Sequence, residues 1–246
     1  MHRILLETTI PDPPAMLSID GEEAAHALRV KRLAPGERIE VLDGHGTIAL
    51  GEVQPDADQP TAHARRHSDR TLTVRLIERR FIAPIRPEVE VCAATPKGQA
   101  VDQMIDQLAQ VGAAAWRPLH TSRSVVDPRP AKLDRLERIA HEACKQSGRA
   151  WLLRIDPRMD FAQALPPPAG VALVLADASG APLPANFRSD RIRLLIGPEG
   201  GFTPEELAAA RSAGTTIARF GPHTMRIETA AVAAAALLLG GSHAES

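Results

Sequence analysis

Two segments near the C-terminal end of this 246-residue chain carry residue types that can do chemistry. In the first, Leu194-Leu195-Ile196 runs into Gly197-Pro198-Glu199-Gly200-Gly201, and Thr203-Pro204-Glu205-Glu206-Leu207 then opens a helix. Thr203 suits the N-cap, Pro204 the first helical position, and Glu206 completes a capping box. A glycine-rich turn therefore sits at the carboxyl end of a predicted parallel strand, where α/β sheets bind small molecules. No Gly-Lys-Ser/Thr follows and the spacing is not Gly-x-Gly-x-x-Gly, so neither familiar phosphate loop applies. Glu199 also argues against pyrophosphate, because a carboxylate inside an anion cradle repels it. The turn suits a neutral or cationic ligand. The alternative is a tight turn in which glycine serves backbone geometry alone.

The second segment, Phe220-Gly221-Pro222-His223-Thr224-Met225-Arg226-Ile227-Glu228-Thr229, leads into an alanine-rich helix from Ala230 to Leu239. Its small side chains let other backbone come close. A carboxylate near a helix N-terminus is favoured electrostatically, so helix stabilisation alone accounts for Glu228. It does not account for Arg226.

These segments need a scaffold, and composition bounds it. Hydrophobic residues make up 44% and charged residues 24%, enough for one large domain or two smaller ones, and disorder is excluded. Lys and Arg total 29 against 30 Asp and Glu, so any nucleic-acid site is a local patch, not a global field. The chain has five Phe, two Trp and no Tyr, which disfavours base recognition by aromatic stacking. Cys92 and Cys144 lie far apart with no Cys-x-x-Cys pairing, so neither a disulfide framework nor a structural zinc site is expected, and no metal. The N-terminus lacks a signal-peptide pattern and no apolar run reaches membrane-spanning length, so we expect a soluble, cytoplasmic protein in a reducing compartment.

The first 80 or so residues read as short strands and turns with one helix, the pattern of a small β-barrel. Arg38–Leu42 and Ile48–Val53 flank Asp43-Gly44-His45-Gly46 as a hairpin. Glu22–Arg32 has helical spacing and stops at Pro35-Gly36. The polar stretch Gln54–Arg70 reads as a mobile loop, and Thr71–Ile77 as the closing strand. Pro84 and Pro87 mark a boundary, giving domains at 1–80 and 81–246. Beyond it, strand-length apolar runs at Val89–Ala94, Trp116–Leu119, Val171–Ala176 and Ile192–Ile196 alternate with helices, which predicts a parallel α/β sheet. The clearest helix is Lys132–Ser147, with Leu133, Leu136, Ala140, Ala143 and Cys144 on one face and Gly148 as its stop. Arg135, Arg138, His141 and Lys145 on its other face read first as a solvated face and second as an RNA-facing one.

The two C-terminal segments, Ile196-Gly197-Pro198-Glu199-Gly200-Gly201-Phe202 and Met225-Arg226-Ile227-Glu228-Thr229-Ala230, resemble the 16S ribosomal RNA uridine N3-methyltransferases of the knotted SPOUT superfamily. Pro96-Lys97-Gly98, Ser122-Arg123-Ser124-Val125-Val126 and Glu142-Ala143-Cys144-Lys145-Gln146-Ser147-Gly148-Arg149 are similar to family segments in the same order. So are Leu28-Arg29-Val30, Arg32-Leu33 and Pro35-Gly36, and the resemblance spans nearly the whole chain.

The resemblance implies an α/β fold: a SPOUT trefoil-knot methyltransferase domain behind an N-terminal PUA-like β-barrel that binds RNA. It implies S-adenosylmethionine as cofactor, a homodimer, and 3-methyluridine made at one position of the decoding region of 16S rRNA, within the small ribosomal subunit. The cofactor pocket it implies is lined by Leu175, Ile196, Gly197, Pro198, Gly200, Gly201, Phe220, Gly221 and Met225. A sulfonium cofactor carries no phosphate, which agrees with a glycine turn containing Glu199. Uracil N3 must lose a proton before it attacks the methyl carbon in line. Arg226 is the candidate to stabilise the resulting anion, and Glu228 to orient Arg226 or accept the proton. Arg29, Lys31 and Arg32 on the barrel, with Arg123, Lys145 and Arg149 on the catalytic domain, are candidates for phosphate contacts, each with solvated charge as the bland alternative.

The chain departs from the family pattern in places. Gln107 and Gln110 replace a Lys and a Glu, His223 an Arg, Ile227 a Thr, and Ala176-Asp177 a His-Pro. Two rival readings stand beside the main one: a SPOUT enzyme acting on another rRNA or tRNA nucleotide, and a non-catalytic RNA-binding ribosome-assembly factor.

Overall fold

In the N-terminal part, side chains that alternate between buried and exposed build one mixed sheet. A computed structural model describes residues 1–6, 8–55, 71–126 and 130–240. The strands are β1 (His2–Leu5), β2 (Ala15–Ile19), β3 (Arg38–Leu42), β4 (Thr47–Val53) and β5 (Leu72–Phe81), in the order β1-β3-β4-β5-β2. β1 runs parallel to β3, and the other pairs are antiparallel. Ile39, Val41, Ala49, Val53, Leu72, Val74 and Leu76 point to one core, closed by Ala24 and Ala27 of helix α1 (Gly21–Arg29).

The β3–β4 hairpin forms where the sequence predicts it. The Asp43 carboxylate accepts from the backbone N–H of His45 and Thr47 at 2.8 and 2.9 Å, an Asx-type turn. The strands of the expected PUA-like barrel form a five-stranded sheet in which, among the described residues, β1 and β2 are the edges and do not pair with each other. α1 ends at Arg29, short of the expected Arg32, and Arg32 takes a positive φ of 55°. The expected loop at Gln54–Arg70 lies largely outside the described residues.

The chain divides into two compact units, Met1–Ala83 with Lys145–Trp151, and Pro84–Cys144 with Leu152–Ser246. Lys145–Trp151 joins the first unit for reasons visible in its contacts. The Arg3 guanidinium donates to the carbonyls of Lys145 and Gln146, the Lys145 ammonium pairs with Glu23 at 2.6 Å, and the Trp151 indole donates to the Ile82 carbonyl.

The second unit is a parallel sheet with helices on both faces. Its strands are β6 (Glu88–Ala93), β7 (Ala115–His120), β8 (Arg154–Ile155), β9 (Met159–Asp160), β10 (Ala172–Pro182), β11 (Arg191–Ile196) and β12 (Thr216–Arg219). Their order is β12-β10-β11-β6-β7-β8, with β9 on β7. Val89, Val91, Val174, Ile192, Leu194 and Ile196 face α2 (Ala100–Val111), α3 (Pro130–Ser147) and α6 (Ile227–Gly240). Cys92, Leu173, Leu175 and Leu195 face α4 (Phe161–Ala164) and α5 (Pro204–Ser212). Strands apolar on both faces are what a doubly covered parallel sheet requires. No helix among the described residues is long and apolar enough to cross a membrane.

One polar network interrupts the second face. Glu90 on β6 accepts from Arg117 on β7 at 3.0 Å and from Arg193 on β11 at 2.7 Å, and Arg117 also pairs with Asp156 at 3.1 Å. Burial pushes the Glu90 carboxyl up, but the hydrogen bonds and charges of Arg193 and Arg117 outweigh it and hold the group below its ordinary value. A carboxyl lowered by folding adds stability above its unfolded value, and that contribution is lost as pH falls through the folded value. Glu90→Gln is therefore expected to cost roughly 2 kcal/mol at neutral pH, less than in a wholly buried network. Urea melts run from neutral pH to about pH 3 should show an acid-labile component in the wild type that is missing from the variant.

Candidate active site

Two strand ends, a bulge and one helix start build a cleft in the second unit. β10, β11 and β12 run parallel, and the cleft opens where β11 and β12 end and where β10 leaves the ladder after Ala176. The cleft holds about 420 Å³. Its walls are Ala176–Ala178 within β10, Ile196–Phe202 at the end of β11, and Arg219–Met225 at the end of β12, with Ile227 and Ala230 of α6 closing it.

The wall after β11 is the glycine-rich turn. Gly201 N donates to the Pro198 carbonyl at 2.8 Å and Gly201 has a φ of +67°, a conformation that side-chain-bearing residues resist. A β-carbon on Gly197 would lie only 3.0 Å from the ring of Phe202, which is itself buried against Phe161. Thr203 and Glu206 form the predicted capping box of α5: Glu206 N donates to Thr203 Oγ1 at 3.2 Å and Thr203 N to Glu206 Oε2 at 2.8 Å. The Glu205 carboxyl, two residues into that helix, is lowered by backbone and Thr203 hydrogen bonds.

The wall within β10 has a different origin. Ala176 and Ala181 both pair with Ala218, so Asp177–Gly180 loop out of the ladder as a bulge beside the cleft. Gly180 permits it, because a β-carbon there would stand 2.7 Å from the Ile217 carbonyl oxygen. Asp177 Oδ1 accepts from both the N–H and the hydroxyl of Ser179, which ties the bulge to itself. The strand expected to end at Ala176 thus continues to Pro182.

The helix start is one turn earlier than expected. Ala230 N donates to the Arg226 carbonyl at 2.8 Å, so Arg226 caps α6 and Glu228 lies in its first turn. Met225 and Ile227 on either side of Arg226 line the cleft. Arg226 is exposed and Glu228 half-buried. Among the described residues neither side chain makes a hydrogen bond or ion pair, and the two do not pair with each other.

Ile196, Gly197, Pro198, Gly200, Gly201, Phe220, Gly221 and Met225 all line the cleft. Leu175 does not, because its side chain is fully buried in the core beneath it. Asp177, Ala178, Arg219 and Thr224 line it without having been identified from sequence. A bulge that depends on which strand lies opposite has no local signature. The charges at the wall, Asp177, Glu199 and Arg219, are mixed in sign, so the cleft is no anion cradle.

The basic residues divide between the two units. Arg29, Lys31 and Arg32 lie exposed in the first unit and, among the described residues, make no side-chain hydrogen bond or ion pair. Lys145 and Arg149, expected on the catalytic domain, belong to the first unit instead, and Lys145 is buried against Glu23. Arg123 stays in the second unit, where its guanidinium donates to the Gly200 carbonyl at 2.6 Å.

Residues 84–239 match the family model of an RNA methyltransferase domain, and residues 19–62 that of an RNA methyltransferase PUA domain. Over 238 residues the chain is 32% identical to a ribosomal RNA small subunit methyltransferase E of Mycobacterium bovis, covering 92% of this chain and 87% of that one. The Bacillus subtilis protein of that name is 27% identical, with 94% and 93% covered. In fold, the chain is similar to the Neisseria gonorrhoeae ribosomal RNA small subunit methyltransferase E solved with S-adenosylmethionine, with a TM-score of 0.83, 24% identity, and 98% and 97% covered. It is likewise similar to a Legionella pneumophila methyltransferase solved with the same cofactor, with a TM-score of 0.79, 23% identity, and 97% and 96% covered. An α/β domain following a PUA-like N-terminal domain in the sequence, a family model matched across most of the second unit, and relatives alike over most of their length place this chain in the RNA methyltransferase family, among the ribosomal RNA small subunit methyltransferases E.

Proposed function

We propose that this protein transfers a methyl group from S-adenosylmethionine to N3 of one uridine in the 16S RNA of the small ribosomal subunit. The observation that carries the reading is Arg226, a guanidinium without a partner among the described residues, set between two residues that line a glycine-walled cleft. Its relatives are named for small-subunit ribosomal RNA, and two proteins of similar fold were solved with the cofactor bound.

The residues present fit that cofactor. A cleft of about 420 Å³ is in the range of small-molecule sites. Ile196, Phe220 and Met225 offer apolar surface, while Gly197, Gly200 and Gly201 bring backbone donors and acceptors close. The mixed charge of the wall suits a ligand with a cationic centre and no phosphate. When bound, S-adenosylmethionine supplies an electrophilic methyl carbon.

The chain's own residues handle the proton and the charge. Loss of the N3 proton leaves an anion spread over N3 and its flanking carbonyl oxygens, and the Arg226 guanidinium stabilises that anion. The Glu228 carboxylate, free of competing hydrogen bonds among the described residues, accepts the proton or orients Arg226. Arg29, Lys31 and Arg32, exposed and unpaired among the described residues, hold RNA phosphates and set the register of the RNA.

The same reading takes residues 1–80 as the RNA-binding domain and 81–246 as the catalytic domain, its C-terminal segment threaded as a knot. The protein acts in the cytoplasm as a homodimer. The exposed side of α6, with Ala233, Ala236 and a 56% exposed Leu237, offers the second copy a nearly apolar surface.

Mass spectrometry of small-subunit RNA from cells lacking the protein should show one 3-methyluridine missing, restored by the wild-type gene; an unchanged RNA refutes the assignment. Arg226→Ala and Glu228→Gln should bind S-adenosylmethionine normally in calorimetry yet lose about 100-fold or more in methylation rate. Replacing Arg29, Lys31 and Arg32 with Ala together should weaken RNA binding and reduce the salt dependence of log K by about two to three charges.

A further inference from the structure

The glycine-rich turn is open to the cleft on one side and gripped on the other. The grip comes from residues 121–124, the turn that follows β7 in the sequence. That turn is itself braced: Thr121 N donates to Ser124 Oγ at 3.0 Å, Ser124 N donates to the Thr121 carbonyl at 3.1 Å, and Thr121 is buried.

Two ties run from this brace to the cleft wall. Arg123 Nη1 donates to the Gly200 carbonyl at 2.6 Å and more weakly to the Phe202 carbonyl at 3.4 Å. The Glu206 carboxylate, buried with 8% exposure, accepts from Ser122 N through Oε1 and from Thr203 N through Oε2, both at 2.8 Å. One carboxylate thus joins two loops separated by some 80 positions in sequence. The aliphatic part of Arg123 also packs on the turn, within 3.3 Å of where a Gly200 β-carbon would stand. A hydrogen bond with one charged partner is roughly twice as strong as a neutral one, and each of these ties has such a partner.

We propose that Arg123 and Glu206 are positioning residues for the methyl donor, clamping the 197–203 turn from outside so that its backbone keeps the width the donor needs. Neither touches the reacting atoms. Arg123 acts through the Gly200 and Phe202 carbonyls, and Glu206 ties the 121–124 turn to the start of α5. This inference rests on the cleft being the S-adenosylmethionine site. It also gives Arg123 a task different from that of an RNA phosphate contact: the guanidinium is already spent on the protein's own backbone.

Calorimetry with S-adenosylmethionine on the full chain, without RNA, tests the clamp. Arg123 is exposed, so Arg123→Ala should fold with an unchanged melting temperature and bind the donor about tenfold more weakly. Arg123→Lys, which keeps one charged donor, should recover most of the loss. Glu206→Gln retains only one good acceptor oxygen and releases one of its two loops, so it should weaken the donor at least as much. Unchanged donor affinity in Arg123→Ala overturns the clamp, and a matching fall of about one in the salt slope of RNA binding would assign Arg123 to phosphate instead. A wild-type protein that takes up no donor would overturn the reading of the cleft itself.

Discussion

The site rests on the burial of β11. Ile192, Leu194 and Ile196 pack on one face, Leu195 on the other, and β10 and β6 saturate both edges with parallel ladders. A strand held on four sides has one register, and a one-residue slip would exchange its two faces. The level at which the chain leaves the sheet at Gly197 is thereby fixed. With each buried Leu or Ile worth about 1.5–3 kcal/mol, that register is among the least negotiable features of the unit.

From that fixed exit the other walls follow. β10 pairs with β11 and β12 with β10 in sequence-remote register, and the bulge at Asp177–Gly180 lets β10 pass the cleft and rejoin β12 beyond it. α6 returns to pack on β6, β11 and α2 through Ala231, Ala234, Ala235 and Leu238, small enough in the main to bring its axis close. This return sets its first turn, with Arg226 and Glu228, at the mouth of the cleft. The two residues proposed to act on the base thus stand at the start of a helix whose position is decided by alanines that do no chemistry.

Polar ties serve rigidity where apolar packing cannot reach. Glu90 sits between Arg117 and Arg193, and removing it would strip Arg193 of its ion pair while Arg117 kept Asp156. Cys92, on the same face of β6, lies in an apolar layer where burial pushes its thiol far above the ordinary range, so it is packing and not a nucleophile. Arg32, in the left-handed region without being glycine, is a point of local strain at an exposed basic cluster.

Much of this was written in local sequence. The β3–β4 hairpin follows from Asp43-Gly44, the α5 capping box from Thr203 and Glu206, and the two faces of the catalytic sheet from runs such as Ile192–Ile196, because turns, caps and side-chain periodicity depend on residues a few positions apart. The residue types able to bind a donor and steady an anion were legible for the same reason. What tertiary structure alone decided was adjacency. It buried Leu175 below the cleft, brought Asp177 to its rim, moved Lys145–Trp151 into the first unit, and bound Arg123 to Gly200. Each depends on which strand or loop lies opposite, a property of chain segments far apart in sequence that no local pattern encodes.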